Sequence, residues 1–135
     1  MKAYISVSFR NRRSVDKELT AIAGTLNEHD IASFIFVDNY KFEATHEQQM
    51  MQQAMNDIDK CDILIAETSD KAIGIGVEAG YAKAKGKTII YVRQINAEHS
   101  TTVSGISDFQ IVYDNTSDLK RQLVVVTKKI LAVNN

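Results

Sequence analysis

Asp62-Ile63-Leu64-Ile65-Ala66 and, a short way on, Gly74-Ile75-Gly76-Val77-Glu78-Ala79-Gly80-Tyr81-Ala82 decide how this chain is read. The first piece is a continuous apolar run of strand length, suited to burial on both faces of a parallel sheet. The second runs on through Lys83, Ala84 and Lys85, and the spacing predicts a helix over residues 77–85. Two glycines at a helix start let the backbone approach a ligand and aim free N–H groups at it. Glu78 then falls in the first helical turn, where those N–H groups and the helix dipole hold a carboxylate ionised. A Glu in that place is also a common surface complement to the dipole. Gly74 to Ala79 fits the loose dinucleotide pattern G-x-G-x-x-G/A as well. That pattern should follow its strand directly, however, and here Glu67 to Ile73 intervene.

Outward from this segment, strands and helices alternate. Residues 3–8 read as a first strand and 31–37 as a second, whose run Phe34-Ile35-Phe36-Val37 is continuous enough for burial on both faces. Ser14 is placed to cap a helix carrying Val15, Leu19, Ile22, Ala23 and Leu26 on its apolar stripe. Thr45 with Gln48 has the capping-box pattern and opens a helix to about Lys60, with Met51, Ala54 and Ile58 facing the core. Residues 63–66, 88–92 and 109–113 are the third to fifth strands. Leu119, Leu123, Val126 and Ile130 mark a long final helix. The alternation predicts a single-domain α/β fold over residues 1–135. Its flavodoxin- or Rossmann-like parallel sheet has five strands in the order 2-1-3-4-5 and helices on both faces. Ligands in such sheets bind beyond the carboxyl ends of the strands, at the switch point between the first and third. Ser8-Phe9-Arg10 leaves one of those ends and residues 67–78 leave the other, so the two segments meet at one site.

Composition narrows the classes. A net charge of −1 with 24% charged residues gives no basic excess, which speaks against a nucleic-acid partner. The local cluster Arg10, Arg12 and Arg13 reads either as a solvated loop or as an anion clamp. The single Cys61 precludes an internal disulfide and suits a reducing cytoplasm; its place before a buried strand reads as a small core residue. No signal peptide or membrane-length apolar run is present. His29, His46 and His99 lie far apart without ligand spacing, so neither a metal nor another cofactor is implied.

The stretch from Asp62 to Lys87, with its Asp-(apolar)-Ala-Glu strand, its Gly-x-Gly-x-Glu turn and Gly86-Lys87 before the next strand, resembles the nucleoside 2-deoxyribosyltransferase superfamily. Within it, the order and spacing are similar to the nucleoside 5'-monophosphate N-glycosidase branch, and Ser8-Phe9-Arg10 looks like that branch's Ser-Ile-Arg. The resemblance is dense over residues 54–93 and thin over 1–13. It implies cleavage, or transfer, at the N-glycosidic bond of a nucleoside or its 5'-monophosphate. Glu78 would attack the sugar and form a glycosyl ester, resolved by water or by a second base. Ser8, Arg10 and the Gly74 and Gly76 amides would meet phosphate or sugar, with Phe9, Asp38 and Ser69 in the same pocket. Two positions depart from the pattern. The superfamily's helical Asp falls on Ala54, and a loop carboxylate or Ser falls on Ala72. Asp57, one turn beyond Ala54, and Asp38 are therefore the candidate general acids. The resemblance also implies a homo-oligomer, a dimer, with a neighbour's polar residue completing the pocket; Ser100-Thr101-Thr102 matches that region.

Two other classes share features with the chain. A non-catalytic nucleotide-binding module would keep the glycines and lose the acid. A Toll/interleukin-receptor-like NAD glycohydrolase shares the topology, a catalytic Glu and an opening like Tyr4-Ile5-Ser6-Val7-Ser8-Phe9, but not the Gly-x-Gly-x-Glu-x-Gly-Tyr-Ala turn.

Overall fold

The computed structural model describes residues 1–134. Parallel strands β1 (Lys2–Val7), β2 (Ala32–Ile35), β3 (Ile63–Glu67), β4 (Thr88–Gln94) and β5 (Phe109–Tyr113) form a five-stranded sheet in the order β2-β1-β3-β4-β5. Helices α1 (Asp16–Glu28), α2 (Phe36–Asn39), α3 (Glu47–Asp59), α4 (Ile73–Ala84), α5 (Thr101–Ile106) and α6 (Thr116–Val133) connect and cover it. Side chains alternate across the pleat and sort into two cores. Ala3, Ile5, Ile63 and Ile65 face the layer of α1 and α6. Tyr4, Leu64 and Ala66 face that of α3, α4 and α5. The expected architecture and strand order are thus present. Among the described residues no helix is long and apolar enough to cross a membrane.

Local details differ from the sequence reading, each for a physical reason. The second strand stops at Ile35, and Phe36 to Asn39 turn into α2. As the sheet's edge, β2 pairs with β1 alone and is half-buried rather than covered on both faces. Neither expected cap forms. Ser14 lies inside a 3-10 turn (Arg12–Val15) that precedes α1, and α3 starts at Glu47 behind His46 with no side-chain cap.

The consequential difference is α4, which starts at Ile73 rather than Val77. Ile75, Ala79 and Ala82 recur at helical spacing and are buried, so packing on the sheet outweighs the weak helix propensity of Gly74 and Gly76. Glu78 consequently sits in the second turn of the helix.

Candidate active site

Glu78 is held from across the sheet. Tyr4 and Ser6 alternate along β1 and so point to the same face. The Tyr4 hydroxyl donates to Glu78 Oε2, and Ser6 Oγ donates to Oε1 at 2.9 Å. The helix-start N–H groups expected to hold this carboxylate are a turn away; hydroxyls of β1 hold it instead. Burial raises the Glu78 pKa above the ordinary carboxylate value, and the two hydroxyl hydrogen bonds pull it part of the way back. The Tyr4 phenol is pushed far up, first by burial and then by the Glu78 charge, and stays a donor at any working pH.

Glu78 opens into a cavity of about 240 Å³ at the carboxyl edge of the sheet. Ser8, Gly74 and Glu78 supply its polar end. Its other walls are apolar and aromatic, led by Phe36, Tyr40 and Phe42 from the segment leaving β2, with Met50, Met51 and Ala54 from α3. Those three rings pack together, with centroids 4.9 Å apart for Phe36–Tyr40, 5.7 Å for Tyr40–Phe42 and 6.1 Å for Phe36–Phe42. A larger groove of about 610 Å³ runs between α1 and α6. It shares no residue with the motif, so size alone does not mark the site.

The other candidate residues separate into those at the cavity and those away from it. Phe9 is 75% exposed at its rim. Ser8 Oγ donates to Asp70 Oδ2 at 2.7 Å, while Arg10 forms a fork on the same carboxylate, Nε to Oδ2 at 3.1 Å and Nη2 to Oδ1 at 2.9 Å. Both groups expected to meet phosphate or sugar are therefore engaged by an internal anion. Arg10 first, then Ser8, hold the Asp70 pKa below the ordinary value. Gly74 lies within the first turn of α4, where N–H groups lack helical partners; Gly76 is one residue too deep for that.

Asp38 faces Arg12, whose Nε reaches Oδ1 and whose Nη2 reaches Oδ2, each at 2.7 Å. Asp57 stands behind Tyr40 rather than on the cavity wall: it adds to the rise in the Tyr40 phenol's pKa that burial begins. Ser69 Oγ accepts from the Gln94 N–H at 3.0 Å, beside Tyr113 and away from Glu78. Ser100 caps α5 and lines a separate groove with Thr101, Thr102, Ile73 and Gly76. Cys61 is buried in the core. Among the described residues no cluster of three His, Cys, Asp or Glu side chains could hold a metal ion.

Tyr4, Ser6, Phe36, Tyr40 and Phe42 went unnoticed as site residues in the sequence. Two signals were there. Polar Tyr4 and Ser6 share one face of a buried strand, which is unsuitable unless a polar group lies opposite. Phe34, Phe36, Tyr40 and Phe42 crowd nine positions of a chain with five Phe and five Tyr in all, a density beyond what an edge strand needs.

Comparison with known proteins decides the lineage. The family described as Nucleoside 2-deoxyribosyltransferase matches over residues 4–124. The chain belongs to this family. Among solved structures, a CMP N-glycosidase from Clostridium botulinum superposes with a TM-score of 0.68 at 18% identity, covering 93% of this chain and 99% of that one. A 2-deoxyribosyltransferase from Bacillus psychrosaccharolyticus gives 0.69 at 15% identity, covering 89% and 90%. One from Leishmania mexicana gives 0.56 at 18% identity, covering 76% and 75%. At these identities the likeness is one of fold. No curated protein sequence matches the chain.

Proposed function

We propose that the protein breaks the N-glycosidic bond of a nucleoside or nucleoside 5'-monophosphate, with Glu78 as the nucleophile. Membership of the family supports cleavage or transfer at that bond. The observation that carries the reading is Glu78 itself, fixed by Tyr4 and Ser6 and opening into an aromatic-walled cavity. A Glu78 oxygen attacks the anomeric carbon, and the bonding pair of the C–N bond leaves with the base. Water then hydrolyses the glycosyl ester, or a second base displaces Glu78 from the sugar. Two hydroxyl donors orient the carboxylate and favour its ionised form, offsetting part of the effect of burial. The cavity of about 240 Å³ falls below the roughly 300–1,000 Å³ usual for small-molecule sites, which favours a nucleoside over a dinucleotide.

The reading extends to a cytoplasmic homodimer with no nucleic-acid polymer as partner. The groove of about 440 Å³ lined by Ile73, Ser100, Thr101 and Thr102 adjoins the start of α4, where a neighbouring subunit would meet the site from outside. Sedimentation of active protein at nanomolar concentration tests this: a fully active monomer ends the composite-site reading. For the activity, the purified protein is incubated with a panel of nucleosides, nucleotides and NAD, and free base is followed by chromatography. Base release by the wild type and none by Glu78→Ala is the expected result. Release that survives Glu78→Ala overturns the assignment of the nucleophile.

A further inference from the structure

The cavity has a polar sugar end and an apolar base end, and the base end lacks what a neutral base needs in order to leave. Among the described residues Glu78 is the only carboxylate on its wall, and no Lys, Arg or His lines it. Where an acid would stand on α3, Ala54 presents a methyl group. Tyr40 is the one other titratable wall residue, and the Asp57 carboxylate behind it opposes any phenolate. A proton given by Tyr40 would leave two anions side by side. Asp57 is itself unusual: it is 9% exposed, one oxygen accepts from Gln53 Nε2 at 3.1 Å, and buried Oδ2 has no hydrogen-bond partner. The rings of Phe36, Tyr40 and Phe42 meet on the same wall with the polarisable Met50 and Met51. Aromatic faces beside two carboxylates that neutral donors hold and that, among the described residues, no cation balances are the chemistry that receives a cationic ligand.

We infer that the site takes nucleosides whose base is a positively charged heteroaromatic ring, joined to the sugar through its quaternary nitrogen. The inference rests on the N-glycosidic reading above and specifies its substrate. Such a base stacks on the aromatic wall through cation–π attraction, under the field of Asp57 and Glu78. Its departure needs no acid. As Glu78 forms a bond to the anomeric carbon, the C–N bonding pair moves onto the ring nitrogen and neutralises its charge, and the base leaves uncharged. Water resolves the ester afterwards: its oxygen bonds the anomeric carbon as the ester C–O bond breaks, Glu78 leaves as the carboxylate, and the surplus proton passes to solvent. Substrate cation plus Glu78 anion thus becomes neutral base plus neutral ester, so the step removes charge inside an apolar cavity. A neutral base would instead leave as an anion there, or wait for a proton that no wall residue is placed to give.

Matched pairs test this. Nicotinamide riboside and its reduced, uncharged dihydro form have nearly the same shape, as do guanosine methylated on its imidazole ring and guanosine. Base release should favour the charged member of each pair by about 10²–10⁴-fold in kcat/KM, the range that general acid help otherwise supplies. Because charged nucleosides are also intrinsically labile, binding is read separately. By calorimetry on the wild type, the N-methylnicotinamide cation should bind at least about tenfold more tightly than nicotinamide. Asp57→Asn should remove most of that difference, and so should Phe42→Leu, which keeps apolar bulk and loses the ring; thermal melting checks that both variants fold. Equal binding of the two probes, or guanosine cleaved as fast as its methylated form, overturns the inference. A retained binding preference with no nucleoside cleaved at all supports the cation site while ending the glycosidic reading.

Discussion

Two glutamates at the same edge of the sheet, Glu67 buried and Glu78 half-buried, are held almost alike and differ in access. Glu78 receives hydroxyl hydrogen bonds from Tyr4 and Ser6. Glu67, at the end of β3, receives the Tyr113 hydroxyl at 2.9 Å and the Ser69 N–H at 2.6 Å. Neither carboxylate has a cation, and burial raises the pKa of both. The difference is access. Glu67 is 0% exposed, while Glu78 ends on a cavity. Hydrogen-bond donors therefore hold both carboxylates, and in the proposed reading the reactivity of Glu78 comes from the space left in front of it.

The sharpest way to break the comparison is to neutralise each carboxyl in turn. Glu78→Gln should lower base release by roughly 10³–10⁶-fold, the scale of losing a nucleophile, whereas Glu67→Gln should change it less than about tenfold. Comparable losses from both would mean that access is not what separates them. A smaller effect comes from the donors. Tyr4→Phe removes a charge-assisted hydrogen bond worth about 1.5–3 kcal/mol, so turnover at neutral pH should fall on the order of 10–100-fold. The pH profile supplies the sign. In the proposed mechanism Glu78 attacks as the carboxylate, so the rate should fall as pH drops through its raised pKa. Losing the Tyr4 bond raises that pKa further and moves the acid limb to higher pH. An unmoved limb would show that Glu78 does not set it.

For Glu67 the expected readout is stability rather than rate. A carboxyl whose folded pKa is raised binds its proton more tightly in the native state. Its stabilising contribution is complete below the unfolded value of about 4.3 and is lost as pH rises through the folded value. Wild-type melting temperature should therefore decline across that window relative to Glu67→Gln, by a few degrees. A constant gap between the two proteins from pH 4 to 8 would contradict the desolvation of Glu67.

The same contrast shows what was legible in the sequence. The sheet order followed from the alternation of apolar runs and helical stripes, because each strand's burial is written in consecutive residues such as Ile63-Leu64-Ile65-Ala66. Glu78 stood out through its glycine neighbours. What held it did not, because Tyr4 and Ser6 lie more than seventy positions away and their pairing exists only once β1 is placed beside α4. From local spacing alone, Gly74 and Gly76 lead into a helix beginning at Val77. The burial of Ile75 against the sheet, a tertiary effect, carries α4 back to Ile73. The aromatic wall was hidden for a related reason. Phe36, Tyr40 and Phe42 converge because β2 ends early and α2 turns the chain, which local propensity does not foretell.

The smallest expected effect concerns the entrance to the cavity, where Ser8 and Arg10 were expected to receive a phosphate and instead hold Asp70. Asp70's pKa lies below the ordinary carboxylate value, so it remains an anion throughout the neutral range. An incoming monophosphate therefore competes with a charge already in place, or uses what Arg10 has left. Asp70→Asn keeps the shape, weakens the fork and frees positive charge. The Arg10 side chain is 79% exposed and solvent screens the pair, so the gain is bounded at roughly fivefold. The KM of a nucleoside 5'-monophosphate should fall by up to about that factor while that of the nucleoside stays unchanged. Raising the salt should shrink the difference, since screening acts on exposed charges. If the variant lowers both KM values equally, Asp70 meets the sugar rather than competing with a phosphate. If it changes neither, the phosphate does not depend on Arg10, and the Gly74 N–H at the start of α4 becomes the next donor to test.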